Sequence, residues 1–358
     1  MRFDDVRILE LGDRALFASA FSDNTLLLWT GAQKIELDVG RKNFGPAGAW
    51  FLLRALRENR FDLIVCHAPL HHPFGARWLL RLIGRRPLFL PSALLRGSGV
   101  LFLRWATKTP IVVLDTEDSP AVNRHNLFLF PRCRAYFKRE LPPDHWKVFF
   151  KTAHPGLPSA RFRRSRFYGQ CIEKLRPLSL GISEAKVAQI AGLPPASEKS
   201  ADVFFAGSLG NSSVRARGVE QLRSLREAGY VVDLAESPLS QAEYFARCAR
   251  AWLTWSPEGY GWDCFRHYEA AVCGSVPVLS QPTVYRHRPL LDGIHGVYYD
   301  VEDDGLKTAI TEALRDKQRL SAMARAAREH VLRHHTHRRL CEHVLEVALG
   351  PPASDEGA

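Results

Sequence analysis

Short apolar runs alternate with amphipathic stretches along the whole chain. Residues 6–9 read as a strand. Residues 51–59 read as a helix, with Leu52, Leu53 and Leu56 on one side and Arg54, Arg57 and Glu58 on the other. A strand at 61–66, a helix at 76–83 and strands at 87–90 and 111–114, with a helix between them, continue the pattern. This alternation predicts an open, largely parallel sheet flanked by helices.

The cadence restarts near residue 202. Strands are expected at 202–205, 230–234, 251–254, 276–279 and 297–299. Helices are expected at 214–228, 240–250 and 263–273, then at 304–315, 317–334 and 337–348. Between the two series lies Gly192-Leu-Pro-Pro-Ala-Ser-Glu-Lys-Ser200, whose Pro and Ser content marks a linker. The expected fold class is therefore α/β, with two Rossmann-like domains facing a cleft. The first covers residues 1–190 and the second 200–335. Residues 336–358 form a closing helix that packs back on the first domain, plus a frayed tail. In such sheets ligands bind beyond the carboxyl ends of the strands.

Composition narrows the function. The chain has 358 residues, 46% of them hydrophobic, which excludes wholesale disorder. Its 49 Lys+Arg against 38 Asp+Glu give a net charge of +11 and suggest an anionic partner. The 7 cysteines form no CxxC pair, and most sit in apolar surroundings, so reduced thiols in a cytosolic protein are expected. The N-terminal stretch lacks a signal-peptide pattern. No run approaches the roughly 20 apolar residues of a membrane span, so any membrane contact is expected to be peripheral.

The densest segment runs from Trp255 to Val278. A strand ends at Trp255, and a loop carrying Gly259, Tyr260 and Gly261 leads into a helix. Arg266 and Glu269 stand three apart near the start of that helix, and Gly274 stops it. A helix N-terminus with an added arginine suits a diphosphate, and a nearby carboxylate suits the hydroxyls of a ribose. An intrahelical Arg–Glu pair is the simpler alternative. The sequence Arg266-His-Tyr-Glu269-Ala270, followed by Gly274-Ser-Val-Pro-Val278, resembles the donor-binding segment of GT-B glycosyltransferases, closest to the exostosin-like and bacterial group-1-like branches. Residues 328–340 are similar to the closing helices of the group-1-like enzymes. The resemblance covers about residues 200–345 and implies that Glu269 binds the nucleotide ribose and Arg266 the diphosphate. It also implies a nucleotide diphosphate sugar as donor substrate, with no separate cofactor. The acceptor would be a hydroxyl of a glycan or lipid-linked saccharide in bacterial surface polysaccharide synthesis. One departure is clear: many retaining members have two glutamates with seven residues between them, whereas Glu258 and Glu269 have ten, so Glu258 is not assigned the first glutamate's role at the donor sugar. That spacing leans towards inversion.

A second loop, Val203-Phe-Phe-Ala-Gly-Ser-Leu-Gly-Asn-Ser-Ser-Val-Arg215, runs strand, glycine turn, helix. Gly207 and Ser208 are expected to let the backbone approach a phosphate, Ser212 or Ser213 to cap the helix, and Arg215 to reach the anion. In the first half, Ile111-Val-Val-Leu-Asp-Thr-Glu-Asp118 places carboxylates at a strand end. Asp115 or Asp118 is a candidate base for the acceptor hydroxyl; helix capping or arginine pairing is the alternative. His67, followed by His71 and His72, is a rival base. Lys138 and Arg139 could bind donor phosphates or an acidic acceptor, or simply form a basic strand.

His330, His334, His335, His337 and His343 raise the question of zinc. No Cys or acidic partner completes a familiar signature, and adjacent arginines repel a cation, so no metal is expected. The leading function is metal-independent glycosyl transfer. A nucleotide-sugar epimerase or hydrolase on the same fold is the alternative, and a non-catalytic basic module for polyanion or membrane is the alternative of another class. No nucleic-acid motif is present, and the absence of GxGxxG disfavours a dehydrogenase. From Arg132 to Arg176 there are 12 basic and 3 acidic residues, so 12 − 3 = +9 of the surplus lies in one segment. Interleaved aromatics there suggest an anionic membrane surface or a lipid-diphosphate acceptor, hence a cytoplasmic protein peripheral to the membrane.

Overall fold

The computed structural model describes residues 2–31, 40–70, 99–105, 108–150, 160–194, 198–210 and 212–351. The expected helix at 76–83, the strand at 87–90, His71 and His72 lie outside them. The chain divides into two compact units, Met1–Leu178 with Leu340–Ala358, and Ser179–Arg339. The break falls earlier than the linker at 192–200.

In the first unit the strands are β1 (Ile8–Gly12), β2 (Thr25–Trp29), β3 (Arg41–Asn43), β4 (Leu63–His67), β5 (Ile111–Asp115), β6 (Ala135–Lys138) and β7 (Leu175–Pro177). They form a parallel sheet in the order β3-β2-β1-β4-β5-β6-β7. The central strands β1, β4 and β5 are buried at every position, as a sheet covered on both faces requires. Helix α1 is Leu16–Ala20. Helix α2 (Pro46–Arg57) starts on Pro46, whose fixed φ suits a first helical turn, and buries Ala49, Leu52 and Leu56 on one face of the sheet. Helix α3 is Arg166–Glu173. The opposite face packs Ile8, Val65, Val112 and Phe137 with Phe17 of α1 and with Cys341, Val344 and Leu345 of the last helix.

In the second unit, helix α4 (Glu184–Ala191) precedes the strands β8 (Ala201–Phe205), β9 (Val232–Leu234), β10 (Ala251–Trp255), β11 (Val276–Ser280) and β12 (Val297–Tyr299). These form a parallel sheet ordered β12-β11-β10-β8-β9. Helices α5 (Ser213–Glu227) and α8 (Gly305–Leu314) cover one face through Val219, Leu222, Leu306 and Ile310. Helices α6 (Gln241–Arg250), α7 (Phe265–Val272) and α9 (Lys317–His334) cover the other through Phe245, Ala271, Val272, Ala327 and Val331. Helix α10 is His337–Leu349. Ser240 and Glu243 form a reciprocal capping box at the start of α6, satisfying two orphan amides. No described helix is long and apolar enough to cross a membrane.

Both sheets reverse direction at one point. In the first, the chain builds outward on either side of the β1–β4 junction. In the second it does so at the β8–β10 junction. At such a switch point two adjacent loops diverge and leave a crevice beyond the strand ends.

Candidate functional site

At the switch point of the second sheet, β8 ends in Ala206-Gly207-Ser208 and β10 in Ser256-Pro257-Glu258-Gly259. Arg215, on the first turn of α5, bridges the two loops. Its Nε donates to the Glu258 carbonyl at 2.9 Å and its Nη1 to the Ser208 carbonyl at 2.9 Å. Ser212 caps the same helix by accepting from the Val214 amide at 3.2 Å. Arg266, on the first turn of α7, donates from Nη2 to the Ala206 carbonyl at 2.8 Å and lies over the Phe205 ring at 5.4 Å. Its Nε is buried with no hydrogen-bond partner.

Glycine at these positions leaves room for the guanidiniums in the places they hold. A Cβ on Gly207 would stand 2.7 Å from Arg266 Nη2, and one on Gly259 3.0 Å from Arg215 Nη2. Burial, and then the neighbouring charge of Arg266, lower the pKa of Arg215. Neither arginine forms an ion pair with a carboxylate among the described residues, although burial lifts the nearby Glu258 carboxyl above its ordinary value. Two neighbouring guanidiniums, neither ion-paired with a carboxylate, make a seat for a polyanion.

Glu269 lies one turn along α7. It does not pair with Arg266. Lys186 of α4 reaches it instead, placing Nζ 2.5 Å from Oε1, with the ammonium 5.2 Å from the centroid of the Phe265 ring. Of the expected donor residues Arg215 and Glu269 are buried, Gly259 and Arg266 are half-buried, and Gly207, Ser208 and Tyr260 are exposed, Tyr260 at 76%. Sequence reasoning missed Lys186, which is 83 residues from its partner.

The first sheet carries a second constellation at its own switch point. Glu10 of β1 is fully buried and accepts from three backbone amides at the start of α1: Leu16 (2.8 Å), Phe17 (3.1 Å) and Ala18 (2.8 Å). His67, the last residue of β4, places Nε2 2.8 Å from Glu10 Oε1. The carboxylate only accepts, so Nε2 carries a proton, and in the neutral ring Nδ1 keeps its lone pair. That Nδ1 is buried and unpartnered. Glu10 gave no sign of this role in the sequence.

The other candidates of this unit sit apart from that pair. Asp115 and Lys138 are register partners on β5 and β6. Asp115 Oδ2 accepts from the Tyr136 hydroxyl at 2.8 Å and lies 3.1 Å from Lys138 Nζ. The Lys138–Asp115 contact is an ion pair without hydrogen-bond alignment, and Lys138 is fully buried. Buried and paired with Asp115, Lys138 is not presented to a donor phosphate. Asp118 is half exposed and paired with Arg139, which also donates to Glu140 at 3.0 Å and to the Thr116 carbonyl at 3.0 Å. Burial raises the Glu117 carboxyl, against the pull of Arg14.

Much of the basic segment is also committed to the fold. Lys174 donates to the Phe130 and Cys133 carbonyls, and Arg163 pairs with Asp144 at 2.8 Å. Trp146, Phe149, Phe162, Phe167 and Tyr168 pack edge-on or tilted against one another, and Phe167 is 39% exposed. Of the C-terminal histidines, His330 and His335 both bond the Arg288 carbonyl at 2.8 Å, and His343 meets the Phe137 ring edge-on. No group of three or more metal-ligating side chains occurs among the described residues.

Residues 224–346 match the glycosyl transferase-like family model. No curated protein matches the sequence. Among solved structures, Anabaena HepE in complex with UDP aligns with a TM-score of 0.54 at 13% identity, over 95% of this chain and 98% of that one. A glycosyltransferase from Rickettsia africae aligns with a TM-score of 0.55 at 7% identity, over 96% and 98%. The UDP-forming α,α-trehalose-phosphate synthase of Burkholderia xenovorans, in complex with glucose-6-phosphate, aligns with 0.54 at 12%, over 95% and 99%. These likenesses show the GT-B glycosyltransferase fold, with its two Rossmann-like domains, and bear out the resemblance read from residues 266–278.

Proposed function

We propose that the protein transfers a sugar from a nucleotide diphosphate sugar to an acceptor hydroxyl. The observation that carries this reading is the pair of buried-side guanidiniums, Arg215 and Arg266, held on two glycine loops at the switch point of the second sheet. In this reading they hold the donor diphosphate and offset its charge as it leaves, a task other transferases give to a metal. Backbone amides near Gly207 and Ser208 and the α7 N-terminus add to the field. Glu269, steadied on one oxygen by Lys186, accepts from the ribose hydroxyls. HepE was solved with UDP and with UDP-glucose, which supports a uridine diphosphate donor here too.

The first unit would bind the acceptor. Among Asp115, Asp118 and His67, the geometry favours His67 as base. Asp115 and Asp118 are held by cations, whereas His67 Nδ1 keeps an unfilled acceptor position with Glu10 fixing its tautomer. An acceptor O–H delivered there would complete the missing bond and lose its proton as the glycosidic bond forms. The exposed basic residues around α3 support a glycan or lipid-linked acceptor in surface polysaccharide synthesis, at the inner face of a membrane.

A thermal-shift series with UDP, GDP, dTDP, CMP and ADP tests the donor reading. A nucleotide at 100 times its Kd contributes about 2.7 kcal/mol, a shift of roughly 5–10 °C for a unit of this size. Absence of any shift would sink the reading. Rapid turnover without an acceptor would favour a hydrolase.

A further inference from the structure

Sugar transfer makes no use of a group of nucleophilic and titratable side chains around Cys264. All seven cysteines lie within the described residues; six are buried and Cys264 is half-buried. It is the N-cap residue of the eight-residue helix α7, whose first amides favour negative charge on the sulfur. Cys264 Sγ lies 3.6 Å from His267 Nδ1 and 3.6 Å from Ser256 Oγ. His267 Nε2 lies 3.0 Å from the Trp262 carbonyl, which can only accept, so Nε2 carries a proton.

The Nδ1 lone pair then faces two donors, the Cys264 thiol and the Ser256 hydroxyl at 2.7 Å, and can serve only one. Moving the thiol proton to Nδ1 removes the conflict. The imidazolium donates to Ser256 Oγ, and the Ser256 hydroxyl donates to the thiolate. The protonated thiol keeps one alternative, the Pro257 carbonyl at 3.7 Å. Arg266 and Arg215 also face the sulfur and favour its anion. Asp263, which accepts from the Tyr268 hydroxyl at 2.6 Å, favours the imidazolium. Burial by itself would raise the thiol. His267, followed by Arg266 and Ser256, outweighs it and brings the thiol down to about 6, while the Cys264 thiolate lifts His267.

We propose that Cys264 and His267 form a thiolate–imidazolium pair, and that this pair makes Cys264 a site of modification by hydroperoxides at the edge of the anion seat. The thiolate attacks one peroxide oxygen, the S–O bond forms and the O–O bond breaks. Sulfur loses two electrons and becomes a sulfenic acid. The leaving alkoxide or hydroxide takes the proton of His267 and departs as alcohol or water. The oxidised sulfur then stands two residues from Arg266. This chemistry does not depend on the transferase reading, and its test needs no donor or acceptor.

The test titrates the full-length protein by thiolate absorbance at 240 nm, taking wild type minus Cys264→Ser, a change that keeps a good N-cap. One thiolate is expected with a midpoint near pH 6, and His267→Gln moves the midpoint above 8, near or beyond the ordinary thiol value of about 8.5. The second measurement adds hydrogen peroxide and dimedone at pH 6 and maps the label by mass spectrometry. At that pH an ordinary thiol is about 0.3% ionised against about half for Cys264. The lower nucleophilicity of an acidic thiolate takes back roughly tenfold of that advantage, so labelling about tenfold faster than an ordinary exposed thiol is expected. A midpoint above pH 8 in the wild type, or label on Cys264 no greater than on the other six cysteines, would overturn the proposal.

Discussion

Arg266→Met separates binding from architecture more cleanly than any other single change. Methionine keeps an unbranched stem on the Phe205 ring and removes the guanidinium. The bond from Nη2 to the Ala206 carbonyl is lost, at a cost of about 0.5–1.5 kcal/mol. Relief of the repulsion with Arg215 acts in the opposite direction. The net effect on stability is therefore under about 1 kcal/mol, a melting shift below about 4 °C. A bound diphosphate, in contrast, loses a charge-assisted hydrogen bond of about 1.5–3 kcal/mol. At 1.4 kcal/mol per factor of ten, its Kd rises about tenfold to a hundredfold. Where the same contact strengthens during leaving-group departure, turnover falls on the order of 10²–10³. Isothermal titration with UDP and with inorganic diphosphate, beside a melting curve, measures both quantities. An unchanged Kd for both ligands, or a melting loss above about 10 °C, would show Arg266 to be a structural residue.

Three further outcomes are expected. Glu269→Gln weakens UDP by about tenfold or more yet leaves inorganic diphosphate unchanged, because only the ribose contact is lost; equal losses for both ligands would remove the ribose assignment. His67→Asn lowers kcat by about 10²–10⁴ with UDP affinity intact, and Glu10→Gln lowers it less; a kcat within a few-fold of wild type in His67→Asn would move the base elsewhere. Burial, with nearby His330, His334 and His295, takes the pKa of His335 down to about 3, against the Arg288 carbonyl that favours its charge. The fold thus holds His335 neutral, so stability is full above the unfolded value near 6.5 and falls as the pH drops below it. The loss is about 2 kcal/mol at pH 5. Urea midpoints between pH 7 and 5 should fall in the wild type and fall less in His335→Gln.

The sequence made the second unit far more legible than the first. Arg266 and Glu269 sit on one helix, Gly207 and Arg215 on one loop and its helix, and a local pattern exposes local chemistry. Even so, the pattern could not tell an intrahelical pair from two separate partners, since Ala206 and Lys186 come from other elements. The Glu10–His67 pair spans 57 residues and exists only because β1 and β4 are neighbours at the switch point. Lys138 read as a candidate for donor phosphates or an acidic acceptor because its strand is basic. Its register opposite Asp115 turns it inward instead. The edge strand Arg41–Asn43 has no apolar alternation to betray it, whereas Thr25–Trp29 carries an apolar run as long as those read above as strands.

The path of the chain has a consequence for its synthesis. The last helix, α10, supplies Cys341, Val344, Leu345 and Ala348 to the same apolar layer as Ile8, Val65 and Val112 of the first sheet. The second unit, Ser179–Arg339, is thus an insertion between two parts of the first. Every strand of the seven-stranded sheet leaves the ribosome before this layer can close, whereas the second unit emerges as one uninterrupted stretch. Domains made in order from the N-terminus ordinarily fold in that order. Here the unit that starts first is the one finished last, and a stop codon at residue 340 would strike the beginning of the protein rather than its end.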